Sequence, residues 1–365
     1  MHGEGLKRRL ETAEAEGLKT AAEFALNGLA RYKWGDFVIA AARGGERVES
    51  PRLHTMVTGI DFEGPVMVGA GWDKKGWAVD GLYKLGFSGT EVGSVLIFPQ
   101  YGNPKPRLFT DDASHSVGLN RLGFNSVGVE AVASNLEGQE RLGVLGISLG
   151  KNKLLADEYA PWAHAEVAKR LYKYADYLVI NVSSPNTPGL RSLLNSGPIR
   201  EIIQAVNEVR FDHELGAIPM YVKLTVDLPI GDVDDVLEVC VDEDVDGIID
   251  TNTTIDKELK AKYGWAEQMG GLSGNDPEFR RRATERMKYI TRATKGTGLQ
   301  RIGVGGINNT DSAIERIEAG AQIVQVVTGI RQHKGRIARE INLGILEYLD
   351  KTGAKSVEDI VGIAA

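Results

Sequence analysis

From Pro65 onward the chain alternates short apolar runs with longer stretches in which apolar residues recur every three or four positions. The runs are Val66–Ala70, Gly89–Val95, Gly143–Gly150, Tyr177–Val182, Met220–Thr225, Gly247–Asn252, Arg301–Gly305 and Ile323–Thr328. Amphipathic stretches follow most of them: Trp77–Leu85, Glu166–Tyr174, Ile199–Val209, Val233–Val239, Glu278–Thr294, Ser312–Glu318 and Ile337–Leu349. The first set predicts strands and the second helices. Runs such as Tyr177–Ile180 lack the polar alternation of a half-exposed strand, so they predict a sheet covered on both faces, and hence a parallel one.

Eight strand-then-helix units over about 300 residues fit a (β/α)8 TIM barrel better than an open doubly wound sheet, which usually has five or six strands. No Gly-x-Gly-x-x-Gly follows the first run. The Gly-rich turn Gly303–Gly306 follows the seventh instead, where barrels place a phosphate site. Before Pro65, Leu18, Ala21, Ala22, Ala25, Leu29 and Tyr32 recur at helical spacing, and Trp34, Phe37, Val38 and Ala41 repeat the pattern beyond Gly35. The expected organisation is therefore an N-terminal helical extension, residues 1–55, and a catalytic barrel, residues 56–365. The extension reads either as a helical pair packed on the barrel or as a ligand or membrane-surface platform with Arg31 and Lys33 at its rim.

Composition narrows the function. With 43 Lys+Arg against 50 Asp+Glu the formal charge is −7, and no basic block exceeds Lys7–Arg9, so no nucleic-acid partner is expected. Cys240 is the single cysteine and the six histidines never fall at i,i+4, so no metal is expected either. No segment approaches the 18 or so apolar residues of a spanning helix, and no apolar signal core follows Met1, so the expected compartment is the cytoplasm, or the cytoplasmic side of a membrane if the helical extension is a membrane-surface platform.

Barrel enzymes build their sites from the C-terminal ends of the strands. There stand Gly69–Lys74, Ser94, Asn181–Arg191, Lys223, Asn252–Thr254 and Gly270–Gly274. The paired acids of a glycosidase and a Gly-x-Ser-x-Gly elbow are both missing from this set. Neutral amides, hydroxyls and two lysines suit a planar, polar, anionic ligand beside a phosphate-bearing cofactor. A single Asn or Ser in such a loop is ordinarily a turn cap. Here Asn120, Asn181, Asn186 and Asn252 would converge on one mouth if the strand register is right. Lys223, inside an apolar strand, needs an anion beside it to stay charged.

The segments Asn120-Arg-Leu-Gly-Phe-Asn-Ser, Gly150-Lys-Asn-Lys, Asn181-Val-Ser-Ser-Pro-Asn-Thr-Pro-Gly-Leu-Arg, Thr251-Asn-Thr-Thr and Gly270-Gly-Leu-Ser-Gly resemble the class 2, quinone-dependent and membrane-associated, dihydroorotate dehydrogenases, in consistent order over residues 60–350. The resemblance implies an FMN enzyme of pyrimidine biosynthesis that oxidises dihydroorotate to orotate and passes electrons to a quinone. By the same resemblance Ser184 matches the catalytic base, supported by Phe124 and Thr187. Lys74, Asn120, Asn181, Asn186, Asn252 and Thr253 match substrate contacts. Ala70, Gly71, Ser94, Ser148, Asn181, Lys223, Ser273, Gly274, Gly305, Gly306, Val327 and Thr328 match FMN contacts, with Lys223 at the flavin edge where charge accumulates on reduction. Cys240 lies away from all of these and reads as a small buried apolar residue.

Three positions depart from the family pattern: Ser148 stands where Asn is common, Thr110 where quinone-using members carry Arg, and Val327 where they carry Tyr. The last two border the implied quinone tunnel. The alternatives to a quinone enzyme are the same FMN chemistry with fumarate or a protein partner as acceptor, and a non-catalytic flavin-binding interaction module.

Overall fold

The computed structural model describes residues 16–365 apart from 18, 32, 112, 113, 187, 188 and 213, and describes 33 and 34 by their backbone alone. Eight parallel strands close into a barrel: β1 Val66–Val68, β2 Gly89–Val95, β3 Val144–Leu149, β4 Tyr177–Ile180, β5 Met220–Thr225, β6 Gly247–Asn252, β7 Gln300–Val304 and β8 Ile323–Val326. Each pairs with its sequence neighbours, and β8 closes on β1 through Val324↔Val66 and Val326↔Val68. All eight predicted strands are present, and each predicted helix is found at or around its expected place.

The period of two along each strand sorts the barrel into layers. Met67, Tyr177, Val179, Tyr221, Ile249, Ile302 and Ile323 point inward and form an apolar core. Residues of the opposite parity, among them Leu178, Ile180, Val222 and Ile248, pack outward against the helices. The Tyr177 and Tyr221 rings meet edge to face at 5.3 Å, and Tyr177 takes the space beside Gly146, where a Cβ would stand 2.1 Å from Tyr177 Cζ. A hairpin, Thr55–Val57 with Ile60–Phe62, adds the buried Val57 and Phe62 to this interior core. Following the same inward files toward the C-terminal ends, apolar residues give way to Glu91, Lys223 and Gln325, and beyond Val179 to Asn181.

Four elements near the barrel mouth lacked a clear signal in the sequence. Val129–Glu137 is a helix, and Leu108–Thr110, Val117–Asn120 and Gly271–Gly274 form a small antiparallel sheet. That sheet carries Asn120 and Ser273, so Asn120 belongs to a barrel-mouth structure and to none of the barrel strands.

The extension is helical, as expected, with α1 over residues 19–30 and α2 at Lys33–Arg43. Its packing face differs from the one read from the apolar positions. On α1 the buried residues are Glu23 and Ala30, whereas Ala21, Ala22 and Ala25 are exposed. On α2 Ile39 is buried and Phe37 is 83% exposed. Alanine is nearly neutral in transfer, so a stripe of alanines fixes a helix face weakly. Pairing of Glu23 with Lys19 at 3.1 Å lets the carboxylate turn inward instead. Leu18, Tyr32 and the Trp34 side chain lie outside the described residues. Glu16 bonds Arg107, and the Lys19 ammonium donates to the Gly71 carbonyl at 2.9 Å, so both tie the extension to the barrel mouth.

Candidate active site

A cavity of about 1330 Å³ opens at the C-terminal ends of the strands. Its lining includes Ser184, Phe124, Lys74, Asn120, Asn181, Asn186, Asn252, Thr253, Ala70, Gly71, Ser94, Lys223, Ser273, Gly274, Gly305, Gly306, Val327 and Thr328. Two of the residues singled out in the sequence are not among them. Ser148 lies one layer behind, its hydroxyl 2.9 Å from that of Ser94. Thr187 is outside the described residues.

Asn181 directly follows β4 and Asn252 ends β6, with β5 between them, and Ser183 joins their side chains. Asn181 Nδ2 donates to Ser94 Oγ at 2.8 Å, Ser183 Oγ donates to Asn181 Oδ1 at 3.1 Å, and Asn252 Nδ2 donates to Ser183 Oγ at 3.0 Å. Across the mouth Asn186 Nδ2 donates to Asn120 Oδ1 at 3.0 Å. These side chains are therefore held before any ligand arrives. Asn186 Oδ1 and Thr253 Oγ1, by contrast, are buried without a hydrogen-bond partner among the described residues. A buried polar atom left unpaired costs roughly 1–3 kcal/mol, which a ligand donor or acceptor would recover. Ser184 is 5% exposed, and its Oγ accepts from the Asn186 backbone N–H at 3.3 Å.

The two lysines sit in different fields. Lys74 is 7% exposed and its Nζ reaches only the Asn125 carbonyl, at 3.3 Å. Burial, reinforced by the nearby Lys19 and Arg107 cations, brings its pKa down to about 7. An anionic ligand would restore its charge, with uptake of a proton. Lys223, at the end of an inward file on β5, forms an ion pair at 3.1 Å with Glu91 of β2, which is 0% exposed. Gln325 on β8 donates to the other Glu91 oxygen at 2.6 Å. The anion that Lys223 requires is thus Glu91. Sequence reading passed over it, although it is the one carboxylate within the run Gly89–Val95.

At the far side of the cavity, Gly305 and Gly306 follow β7 with φ of +86° and +80°, a conformation that favours glycine. The hydroxyls of Ser273 and Thr328 lie 3.0 Å apart beside them. Glycine backbone with adjoining hydroxyls is the donor set of a phosphate cradle. Toward solvent the walls become apolar: Ala22, Ala25 and Leu26 from α1, Ala42 from α2, with Leu85, Leu108, Phe109 and Ile330. Thr110 and Val327 also line the cavity. Of the apolar positions read from the sequence of the extension, Ala22 and Ala25 line the cavity, whereas Phe37 and Val38 are exposed.

Removing Glu91 would leave Lys223 as a buried, unpaired cation. Glu91→Ala is expected to lower the unfolding free energy by about 3–5 kcal/mol, read from chemical denaturation, whereas a loss under about 1 kcal/mol would show that water or Gln325 alone satisfies the ammonium.

A family profile described as dihydroorotate dehydrogenase matches residues 52–349. Among curated proteins, the chain is 37% identical over 315 residues to a dihydroorotate dehydrogenase (quinone) of Anaeromyxobacter sp., covering 86% of this chain and 85% of that one. It is 38% identical over 316 residues to the protein of the same name from Natronomonas pharaonis, covering 87% of each. Among solved structures, the ligand-free DHODH of Eimeria tenella superposes with a TM-score of 0.82 at 33% identity, covering 91% of this chain and 99% of that one. Its complex with ferulenol superposes at 0.79, again at 33% identity, covering 90% and 94%. With the profile spanning most of the barrel and the relatives aligned over nearly their full length, the chain belongs to the dihydroorotate dehydrogenase family.

Proposed function

We propose that this protein oxidises (S)-dihydroorotate to orotate in pyrimidine biosynthesis, with FMN as the hydride acceptor and a quinone as the terminal electron acceptor. The observation that carries the reading is the convergence of Asn120, Asn181, Asn186 and Asn252 on one cavity beside Ser184 and Lys74. A ring of alternating amide N–H and C=O groups needs partners that both donate and accept, and asparagine is such a partner. The unpartnered Asn186 Oδ1 and Thr253 Oγ1 fit such a ligand, and Lys74 fits its carboxylate.

The residues present also fit FMN. Ala70, Gly71, Ser94, Asn181 and Lys223 would hold the ring system, with Ser148 steadying Ser94. Ser273, Gly274, Gly305, Gly306, Val327 and Thr328 would hold the phosphate end. When bound, the flavin supplies the two-electron acceptor that no side chain can provide. Lys223, fixed by Glu91, would place positive charge against the ring edge.

Oxidation of dihydroorotate removes a proton from C5 and a hydride from C6. Ser184 takes the proton. A free serine is a weak base, but the Asn186 N–H donates to its oxygen, so charge developing there meets a dipole already in place. Phe124, which closes the cavity nearby, and Thr187 are the residues assigned by family resemblance to the onward proton path.

The two parts of the chain divide the labour: residues 56–365 carry dihydroorotate oxidation, and residues 1–55 form the quinone and membrane-surface platform. Support comes from the apolar wall that α1 and α2 add to the cavity and from the exposed Phe24, Phe37 and Val38. Among the described residues no helix is long and apolar enough to cross a membrane, so attachment of this kind would be peripheral.

Ser184→Ala should keep bound flavin but slow its reduction by dihydroorotate by about 10²–10⁴, with part of the rate retained in Ser184→Cys; stopped-flow bleaching of the alanine variant at the unmodified rate would remove Ser184 from the mechanism. Deleting residues 1–50 should leave flavin reduction largely intact and abolish reoxidation by a hydrophobic quinone. If the shortened protein turns over quinone as fast as the full chain, the extension is a structural cap.

A further inference from the structure

Behind the glycine turn that follows β7 lies a charged group that plays no part in the reaction as described. Arg316, in the helix Thr310–Glu318, is 1% exposed. Its Nη1 donates to the Val304 carbonyl at 2.9 Å and its Nη2 to the Gly305 carbonyl at 3.0 Å. The side chain passes so close to β7 that a Cβ on Gly303 would stand 2.5 Å from Arg316 Cγ. Asp250, 0% exposed at the end of β6, provides the counter-charge. Its carboxylate makes no hydrogen bond among the described residues. Burial raises its pKa to about 6, which leaves it mostly ionised at neutral pH.

The two bonds have a directional consequence. In a trans peptide the C=O and the following N–H lie in one plane and point in opposite directions. Anchoring the carbonyls of Val304 and Gly305 on the helix side therefore aims the N–H groups of Gly305 and Gly306 away from Arg316. Both glycines line the cavity. A fork with two rigidly spaced donors can hold two successive peptide planes at once, and one ammonium could hold them less well. The buried guanidinium also sets a positive charge directly behind those amides, where little water screens it.

We propose that Arg316 is the positioning residue of the phosphate cradle, orienting the Gly305 and Gly306 amides through its two carbonyl bonds so that the site recognises the phosphate of its flavin. This rests on the FMN reading above, and it makes Arg316 a determinant of selectivity for FMN over the same flavin without a phosphate. The group touches neither substrate nor flavin in this account. Its effect runs through the backbone.

The test compares binding of two ligands, FMN and riboflavin, to deflavinated protein by quenching of flavin fluorescence, in the unmodified chain, in Arg316→Met and in Arg316→Lys. In Arg316→Met FMN affinity should fall about tenfold or more, equivalent to roughly 1.4 kcal/mol or more, while riboflavin affinity stays within about threefold. Arg316→Lys should fall between the other two for FMN. Equal weakening of both ligands would overturn the proposal by showing that Arg316 only supports packing, and unchanged FMN affinity would overturn it as well. Should Arg316→Met not fold, Arg316→Lys carries the same FMN-to-riboflavin comparison. If the unmodified chain binds neither flavin, the FMN reading itself fails, a result distinct from loss of discrimination in the variants.

Discussion

One ion pair across the inside of the barrel governs how the rest of the site can be built. Lys223 on β5 and Glu91 on β2 face each other at 3.1 Å, both within the barrel and nearly devoid of solvent. Neither charge could remain there alone, because the cost of stripping water from an ion exceeds what a few amide dipoles return. Gln325 satisfies the second carboxylate oxygen and also reaches the Tyr177 hydroxyl at 3.4 Å, which connects the pair to the apolar core. The barrel thus changes character along its axis, from aromatic and aliphatic packing, through one neutralised pair of charges, to amides and hydroxyls. A cation is delivered to the cavity while the core beneath it stays dry.

Above that layer the site consists of polar groups that hold one another. The chain of contacts from Ser148 through Ser94, Asn181 and Ser183 to Asn252 joins three strands and the β4 loop, so moving one member disturbs the others. Preorganisation of this kind reduces the ordering cost of binding a small planar ligand. The atoms left over, Asn186 Oδ1 and Thr253 Oγ1, mark where that ligand would complete the pattern. Lys74 is the exception: burial brings its pKa down to about 7, and among the described residues no carboxylate bonds its ammonium.

Much of this was legible from sequence, for a reason rooted in the fold. Parallel strands covered on both faces leave uninterrupted apolar runs, and eight of them alternating with amphipathic helices admit few other closures. The ends of those runs are where the site had to be, which is why Asn181, Lys223 and Asn252 are legible there, while Ser184 is singled out only by the family resemblance. What escaped depends on partners distant in sequence. Glu91 and Gln325 are the charged or amide residues of mainly apolar strands and Arg316 sits in an ordinary amphipathic helix, and only the closure of the barrel decides whom they meet. The small sheet escaped because strands of three or four residues carry too few positions to show a period. On α1 the alanines Ala22 and Ala25 line the cavity, and the burial of Glu23 escaped because Lys19 makes it tolerable, a compensation that hydrophobic patterning does not register.

The central claim is that this cavity joins dihydroorotate to a flavin and hands the electrons to a quinone. Its most direct test is anaerobic mixing of the purified flavoprotein with dihydroorotate, followed by addition of a soluble quinone analogue or of fumarate. The account predicts loss of the oxidised flavin spectrum with formation of one orotate per flavin, then its return with quinone and not with fumarate. A flavin spectrum unmoved by saturating dihydroorotate would contradict it.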